Sequence, residues 1–192
     1  MSKGEDTRRA ILREAMELAA TAGLEGLTIG ELAKATGMSK SGLFAHFKSK
    51  EELQAQVLEQ TRDRFINRVV APALKEARGV PRIRELFTRW LRWETEQTGG
   101  CVFLAAATEL DDRPGPVRDR LVAIQRDWID TLRTAARIAV EEKHLSKGLD
   151  LDQFAWELWS IGLSYHYFHR LMRAPDAAER AQTAFERLLE RS

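Results

Sequence analysis

The chain has one cysteine, Cys101, in 192 residues. That count excludes an internal disulfide and suits a reducing compartment. Prolines number five and glycines twelve, and no segment alternates apolar with polar residues, so strands are not expected and an all-helical chain is. No run approaches the ~18 apolar residues of a membrane span. The opening MSKGEDTRRA carries charges but no apolar segment of the kind a signal peptide needs, and a cytoplasmic protein with no membrane role is expected. Neither sign of charge prevails: 30 Lys and Arg stand against 29 Asp and Glu, a net charge of +1. Internal repeats and low-complexity stretches are missing too. With 44% hydrophobic and 31% charged residues, the composition is that of a globular domain with an ample core.

Catalytic and metal-binding signatures are equally scarce. There is no glycine-rich phosphate loop and no His-Glu-x-x-His. His166 and His169 are spaced for a metal, but no cysteine or carboxylate neighbours them to complete a set. Glu141 and His144 form a lone Glu-x-x-His, whereas a di-iron bundle needs two; His144 reads more simply as a cation near a helix C-terminus. Asp111 and Asp112 lie in a Pro-Gly-Pro turn and suit capping. No metal and no cofactor are expected, and no catalytic residue stands out.

The informative segment is 28 to 53, TIGELAKATGMSKSGLFAHFKSKEEL. Thr28 precedes Glu31 by three residues, and Ser49 precedes Glu52 by three. Each pair has capping-box spacing, in which a hydroxyl and a carboxylate satisfy free N–H groups at a helix start. Gly37 can take the left-handed conformation that ends a helix, and Ser39 caps the next. Leu32, Met38, Leu43, Phe44 and Phe47 supply an apolar anchor. A preceding stripe at Ile11, Ala15, Leu18 and Ala22 can cover it as a third helix. A short helix, a glycine turn and a second short helix form a helix-turn-helix, the unit that sets its second helix in the DNA major groove. From Lys34 to Lys50, the lysines Lys34, Lys40, Lys48 and Lys50 stand with no acid among them, a local basic face suited to phosphates.

Residues 7–58 resemble the DNA-binding domain of the TetR/AcrR family of bacterial transcriptional regulators. The likeness rests on Thr28-Ile29-Gly30-Glu31-Leu32-Ala33, on Gly37-Met38-Ser39-Lys40-Ser41-Gly42-Leu43-Phe44-Ala45-His46-Phe47, and on Lys50-Glu51-Glu52-Leu53. The family usually has tyrosine where this chain has Phe44, so one hydroxyl contact to phosphate is missing. The expected DNA-contacting set is Thr28, Ser39, Lys40, Ser41, Gly42, Phe44, His46, Lys48 and Lys50.

Beyond the motif, the pattern predicts a helix from Ser49 to about Ala71, ended near Pro72. Others follow from Pro81 to Gln97, from Cys101 to Leu110, and from the Asp111–Pro116 loop to Leu145. The last of these carries Val117, Leu121, Ile124, Trp128, Leu132, Ala135 and Ala139 at spacings of three and four. Asp150 caps a further helix and Pro175 opens the final one. The total of about nine is also the number the resemblance implies. Residues 1–48 are expected to form the DNA-binding domain, and 49–192 a helical domain for ligand binding and dimerisation.

Residues 154–172, FAWELWSIGLSYHYFHRLM, are apolar on more than one face, and such a helix must be buried on more than one side. A two-fold dimer with a four-helix seam satisfies this. Trp159, Gly162, His166, Ala181 and Phe185 are its expected members, and the resemblance implies the same interface. The resemblance also implies a small-molecule pocket among the middle helices. The aromatic content suggests Trp93, Phe103, Trp128 and Trp159 as its lining, with Cys101 as a pocket wall or a thiol sensor. The expectation is a homodimeric regulator, released from a palindromic double-stranded DNA operator by a small apolar or aromatic effector. Two alternatives are a regulator controlled by redox at Cys101 or by a protein partner, and an all-helical enzyme or carrier with a vestigial head.

Overall fold

The computed structural model describes residues 3–96 and 99–192. Its elements are α1 (Lys3–Gly26), α2 (Ile29–Thr36), α3 (Lys40–Phe44), α4 (Lys50–Phe65), a π turn (Ile66–Val70), α5 (Ala71–Ala73), α6 (Val80–Glu96), α7 (Val102–Leu110), α8 (Pro116–Glu141), α9 (Leu151–His166) with a second π turn (Tyr167–Leu171), and α10 (Ala177–Arg191). With α4, its π turn and α5 taken as one rod, the described residues hold nine helices and no strand. The fold is all-α, with an N-terminal helix-turn-helix followed by a larger helical region. By packing, the chain forms two compact units: Met1–Arg64 with Gln97–Ile124, and Phe65–Glu96 with Gln125–Ser192.

In the first unit α1 packs on α2 and α7, and α2 on α3. The buried face of α1 differs from the expected stripe. Ile11, Leu12, Ala15 and Ala19 are buried, while Leu18 is half-buried and Ala22 exposed. Four-residue steps from Ile11 hold one face only as far as Ala19. The helix then breaks at Gly23, whose φ of 75° is left-handed, and Leu24 and Leu27 re-enter the core beyond the break. Gln54 satisfies this bend by donating its side-chain N–H to the Leu24 carbonyl at 2.7 Å. Gly99 lies so close to α1 that a Cβ there would collide with the Ala20 backbone.

The second unit is built on aromatic rings. Phe65 meets Trp93 and Trp128 edge-on at 5.4 and 4.9 Å, and Trp90 meets Trp128 at 5.3 Å. Phe87 stacks on Phe185 at 4.1 Å. The α4 rod does not stop at Pro72. In the π turn the Ala71 N–H reaches back to the Ile66 carbonyl, and the rod passes through Pro72, which has no N–H to lose, to Ala73. α8 ends at Glu141, four residues before the expected Leu145, because Lys143 takes a φ of 62°. The expected end of α6 at Gln97 lies outside the described residues. The His144 backbone N–H reaches the Ala139 carbonyl in the last turn of α8 at 2.8 Å, but its side chain serves another helix. Its Nδ1 accepts the Val80 N–H at 3.3 Å and so caps the start of α6.

Candidate functional site

The helix-turn-helix is held by its caps. The Thr28 hydroxyl accepts the Glu31 N–H at 3.1 Å, and Ser39 Oγ accepts the Gly42 N–H at 3.1 Å. Gly37 closes α2 with φ 66° and ψ 15°. The Ser49 hydroxyl accepts the Glu52 N–H, and a Glu52 oxygen accepts the Lys48 N–H at 3.0 Å. The box at Thr28 is only half formed, because the Glu31 carboxylate turns to Lys34 Nζ at 2.8 Å.

α3 spans five residues, and of these only Leu43 is buried. With Phe47, four residues on and also buried, it anchors the helix. Phe44 is not an anchor: it is 52% exposed, because one residue's rotation carries it off the inner face. It therefore shares the open surface with Lys40, Ser41 and Lys48. Ser39 and Ser41 hydroxyls lie 3.1 Å apart. Gly42 and His46 are half-buried. Lys50 differs from the other lysines of the set. Its Nζ donates to the Glu25 carbonyl at 2.9 Å and meets the Glu25 carboxylate at 3.3 Å.

One residue of this site escaped sequence reasoning. The Arg8 Nη1 donates to the His46 carbonyl at 2.6 Å, its guanidinium lies 4.9 Å from the Phe47 ring centre, and its Nη2 reaches Glu52 at 3.5 Å. Arg8 thus ties α1 to the end of α3 and the start of α4. Nothing in the local pattern of TRRA distinguishes it from a solvated arginine.

The expected ligand residues divide between the two units. Trp93 and Trp128 share the aromatic nest of the second unit, and both are buried. Trp159, half-buried, also belongs to that unit, whereas Cys101 and Phe103 belong to the first. The Trp128 indole N–H is buried with no hydrogen-bond acceptor among the described residues. Two clefts open on the second unit. One, of about 340 Å³, has Val70, Leu74, Leu86 and Ile138 on its apolar wall and Arg82 and Asp127 on its polar wall. The other, of about 300 Å³, lies between the first π turn and α6 and includes Trp93.

Three residues expected at a seam between chains face inward instead. Gly162, Ala181 and Phe185 are buried within the chain's own second unit. A Cβ at Gly162 would overlap the Trp90 ring, and Phe185 is covered by Phe87. The His166 Nδ1 lies 2.5 Å from an oxygen of Glu94, whose side chain is 2% exposed. Burial, and then the Glu94 charge, pushes the Tyr165 hydroxyl above the usual phenol range. The exposed apolar side chains of α9 and its π turn are Trp156, Tyr167, Phe168, Leu171 and, just beyond, Met172. Among the described residues no three His, Cys, Asp or Glu side chains gather as a metal would need. None of the described helices is long and apolar enough to cross a membrane.

This arrangement recurs in known proteins. The nucleoid occlusion factor SlmA of Marinomonas sp. (strain MWYL1) is 24% identical over 148 residues, covering 77% of this chain and 73% of that one. A TetR transcriptional regulator from Chloroflexus aurantiacus has the same fold, with a TM-score of 0.87 at 23% identity, over 99% of this chain and 96% of that one. AibR, solved with isovaleryl coenzyme A and operator DNA, has a TM-score of 0.69 at 24% identity, over 85% of each chain. Residues 11–57 match the family described as bacterial regulatory proteins, tetR family, and residues 79–185 match the tetracyclin repressor-like C-terminal domain. The chain therefore belongs to the TetR family of DNA-binding transcriptional regulators.

Proposed function

We propose that this protein is a cytoplasmic, homodimeric repressor that leaves a palindromic operator when a small apolar or aromatic effector binds its helical body. The observation that carries the DNA half is the open face of α3. Lys40, Ser41 and Phe44 are exposed on a helix too short to bury more than Leu43. Short or basic side chains at the start of such a helix can reach base edges, and Lys48 can neutralise phosphate beside it. Thr28, Ser39, Gly42 and His46 complete the proposed contact set, with Lys50 held in reserve by Glu25. Residues 1–48 act as the DNA-binding domain and 49–192 as the ligand and dimer domain.

The seam between protomers is proposed on the exposed apolar face of α9 and its π turn, with Trp159 at its margin. The effector half is supported by the clefts of the second unit and by the Trp128 N–H, a buried donor that an effector's acceptor atom would satisfy. The neighbour AibR was solved with both a small molecule and operator DNA, which favours the same pairing here. Cys101 is 6% exposed, which disfavours the redox alternative. For release, the effector must bind the DNA-free state more tightly, by about 1–3 kcal/mol or more.

The test begins with selection of a high-affinity duplex from a random pool by the full-length protein. A palindromic consensus, weakened base-specifically by Lys40→Ala and bound by two chains, is the expected result. An aromatic ligand should then lower that affinity, and Trp128→Ala should reduce the ligand response while leaving operator affinity nearly unchanged. A protein that selects no sequence would return the enzyme or carrier alternative.

A further inference from the structure

We infer that the cleft between the π turn Ile66–Val70 and α6 binds a small organic anion with a flat apolar body, an aryl carboxylate or aryl phosphate in class. The inference deepens the ligand-responsive reading above and rests on it only for the consequence to DNA. The cleft holds about 300 Å³, the lower end of the range for small-molecule sites. Three guanidinium groups, of Arg68, Arg89 and Arg92, line it. Arg68 pairs with Glu96 at 3.1 Å and Arg89 with Glu85 at 2.6 Å. Arg89 Nη1 also lies 3.4 Å from the Arg68 carbonyl. The Arg68–Glu96 pair and the Arg89 contact to the Arg68 carbonyl tie the π turn to α6, while the Arg89–Glu85 pair lies within α6. Arg92 has no side-chain partner among the described residues, so two carboxylates face three guanidiniums, and one positive charge at the cleft is left for a ligand.

The floor and sides suit a ring. Trp93 is 2% exposed and is fixed edge-on against Phe65, and Pro72 adds an apolar wall. Guanidinium planes grip carboxylate and phosphate oxygens in a bidentate fork and also stack on aromatic faces. A cationic ligand would be repelled here, and a neutral one would gain nothing from the charge of Arg92. Asn67 and Arg68 come from the π turn itself, a distortion that is rare in helices and frequent at functional sites.

The test is calorimetric titration of the full-length protein with benzoate, phenyl phosphate, inorganic phosphate and benzyl alcohol. Saturable binding of benzoate or phenyl phosphate is expected, and the tighter of the two identifies the head group. Inorganic phosphate and benzyl alcohol should bind at least about tenfold more weakly. Arg92→Ala, at an exposed side chain with no side-chain partner among the described residues, should weaken the aryl anion about tenfold. Arg92→Lys should recover part of the loss. Absence of saturable binding by either aryl anion overturns the site, as does benzyl alcohol binding as tightly as benzoate. Unchanged affinity in both Arg92→Ala and Arg68→Ala also overturns it. The bound anion is then added to the protein on its selected operator. Release that disappears in Arg92→Ala supports site and effector role together. Binding without release upholds the anion site and removes it from the switch.

Discussion

The two regions on which a regulator depends are held in opposite ways. α3 has five residues and a single buried side chain, and its position comes from groups outside it: the Ser39 cap, the left-handed Gly37 and the Arg8 clamp. α6 and α8, with 17 and 26 residues, are held by their own buried rings. A helix fixed by burial is expensive to move and tolerant of polar change at its surface. A helix fixed by a few polar bonds can be shifted by losing one of them without unfolding anything. The body should therefore report substitutions as stability, and the head should report them as operator affinity.

The largest expected effect is in the body. Phe87, 1% exposed and stacked on Phe185, should cost about 3–5 kcal/mol on truncation to alanine, measured by urea unfolding. The size of the loss should not depend on protein concentration, because Phe185 packs inside one chain. A loss that grows on dilution would return Phe185 to a seam between chains. Next comes Arg8→Ala, which removes a charged hydrogen bond to the His46 carbonyl, a contact worth about 1.5–3 kcal/mol. Most of this should appear as weakened operator binding, with helical circular dichroism retained. Unchanged affinity would mean that α3 holds itself, and the contrast between the two regions would fail.

What the sequence discloses follows the range of the interactions. Caps at Thr28, Ser39, Ser49 and Asp150 are local, three-residue signals, and all four hydroxyl or carboxylate caps form. The seven-residue apolar stripe of α8 is likewise local, and every member is buried. Phe44 is harder to place, because in a five-residue helix one step of rotation separates the core from the open face. Gly162 and the His144 side chain are harder still. Each is explained by a residue more than sixty positions away, Trp90 or Val80, and no periodicity reveals such a partner. The same holds for Arg8, whose contacts lie 38 and 44 residues along the chain, and for the three arginines of the cleft, which a π turn and a separate helix bring together.

A smaller effect isolates the cap. Ser39→Ala removes the acceptor for the Gly42 N–H and should cost about 1 kcal/mol. If the contrast holds, operator affinity falls by at least as much as global stability, since α3 carries little of the core. A change confined to the melting temperature, with operator affinity preserved, would show the start of α3 to be structural rather than part of the contact surface.

The smallest effect concerns two lysines that look alike in the sequence. Lys48 is exposed, and among the described residues only its backbone N–H is engaged, by Glu52. Lys50 has its Nζ held by the Glu25 carbonyl and carboxylate, and the same carboxylate lies 3.5 Å from Arg113. A free lysine at the phosphate backbone should contribute about one unit to the log–log salt slope of operator binding, and a tethered one less. Lys48→Ala should therefore flatten the slope by about one unit per half-site, and Lys50→Ala by a smaller amount. Glu25→Gln loosens the tether while leaving the carbonyl contact in place, so it should steepen the slope, and adding Lys50→Ala to it should remove the gain. Equal slopes for the two single lysine variants would mean that Lys50 leaves Glu25 for phosphate on DNA. The tether would then be a feature of the unbound head alone, held by an exposed pair worth too little to resist the DNA.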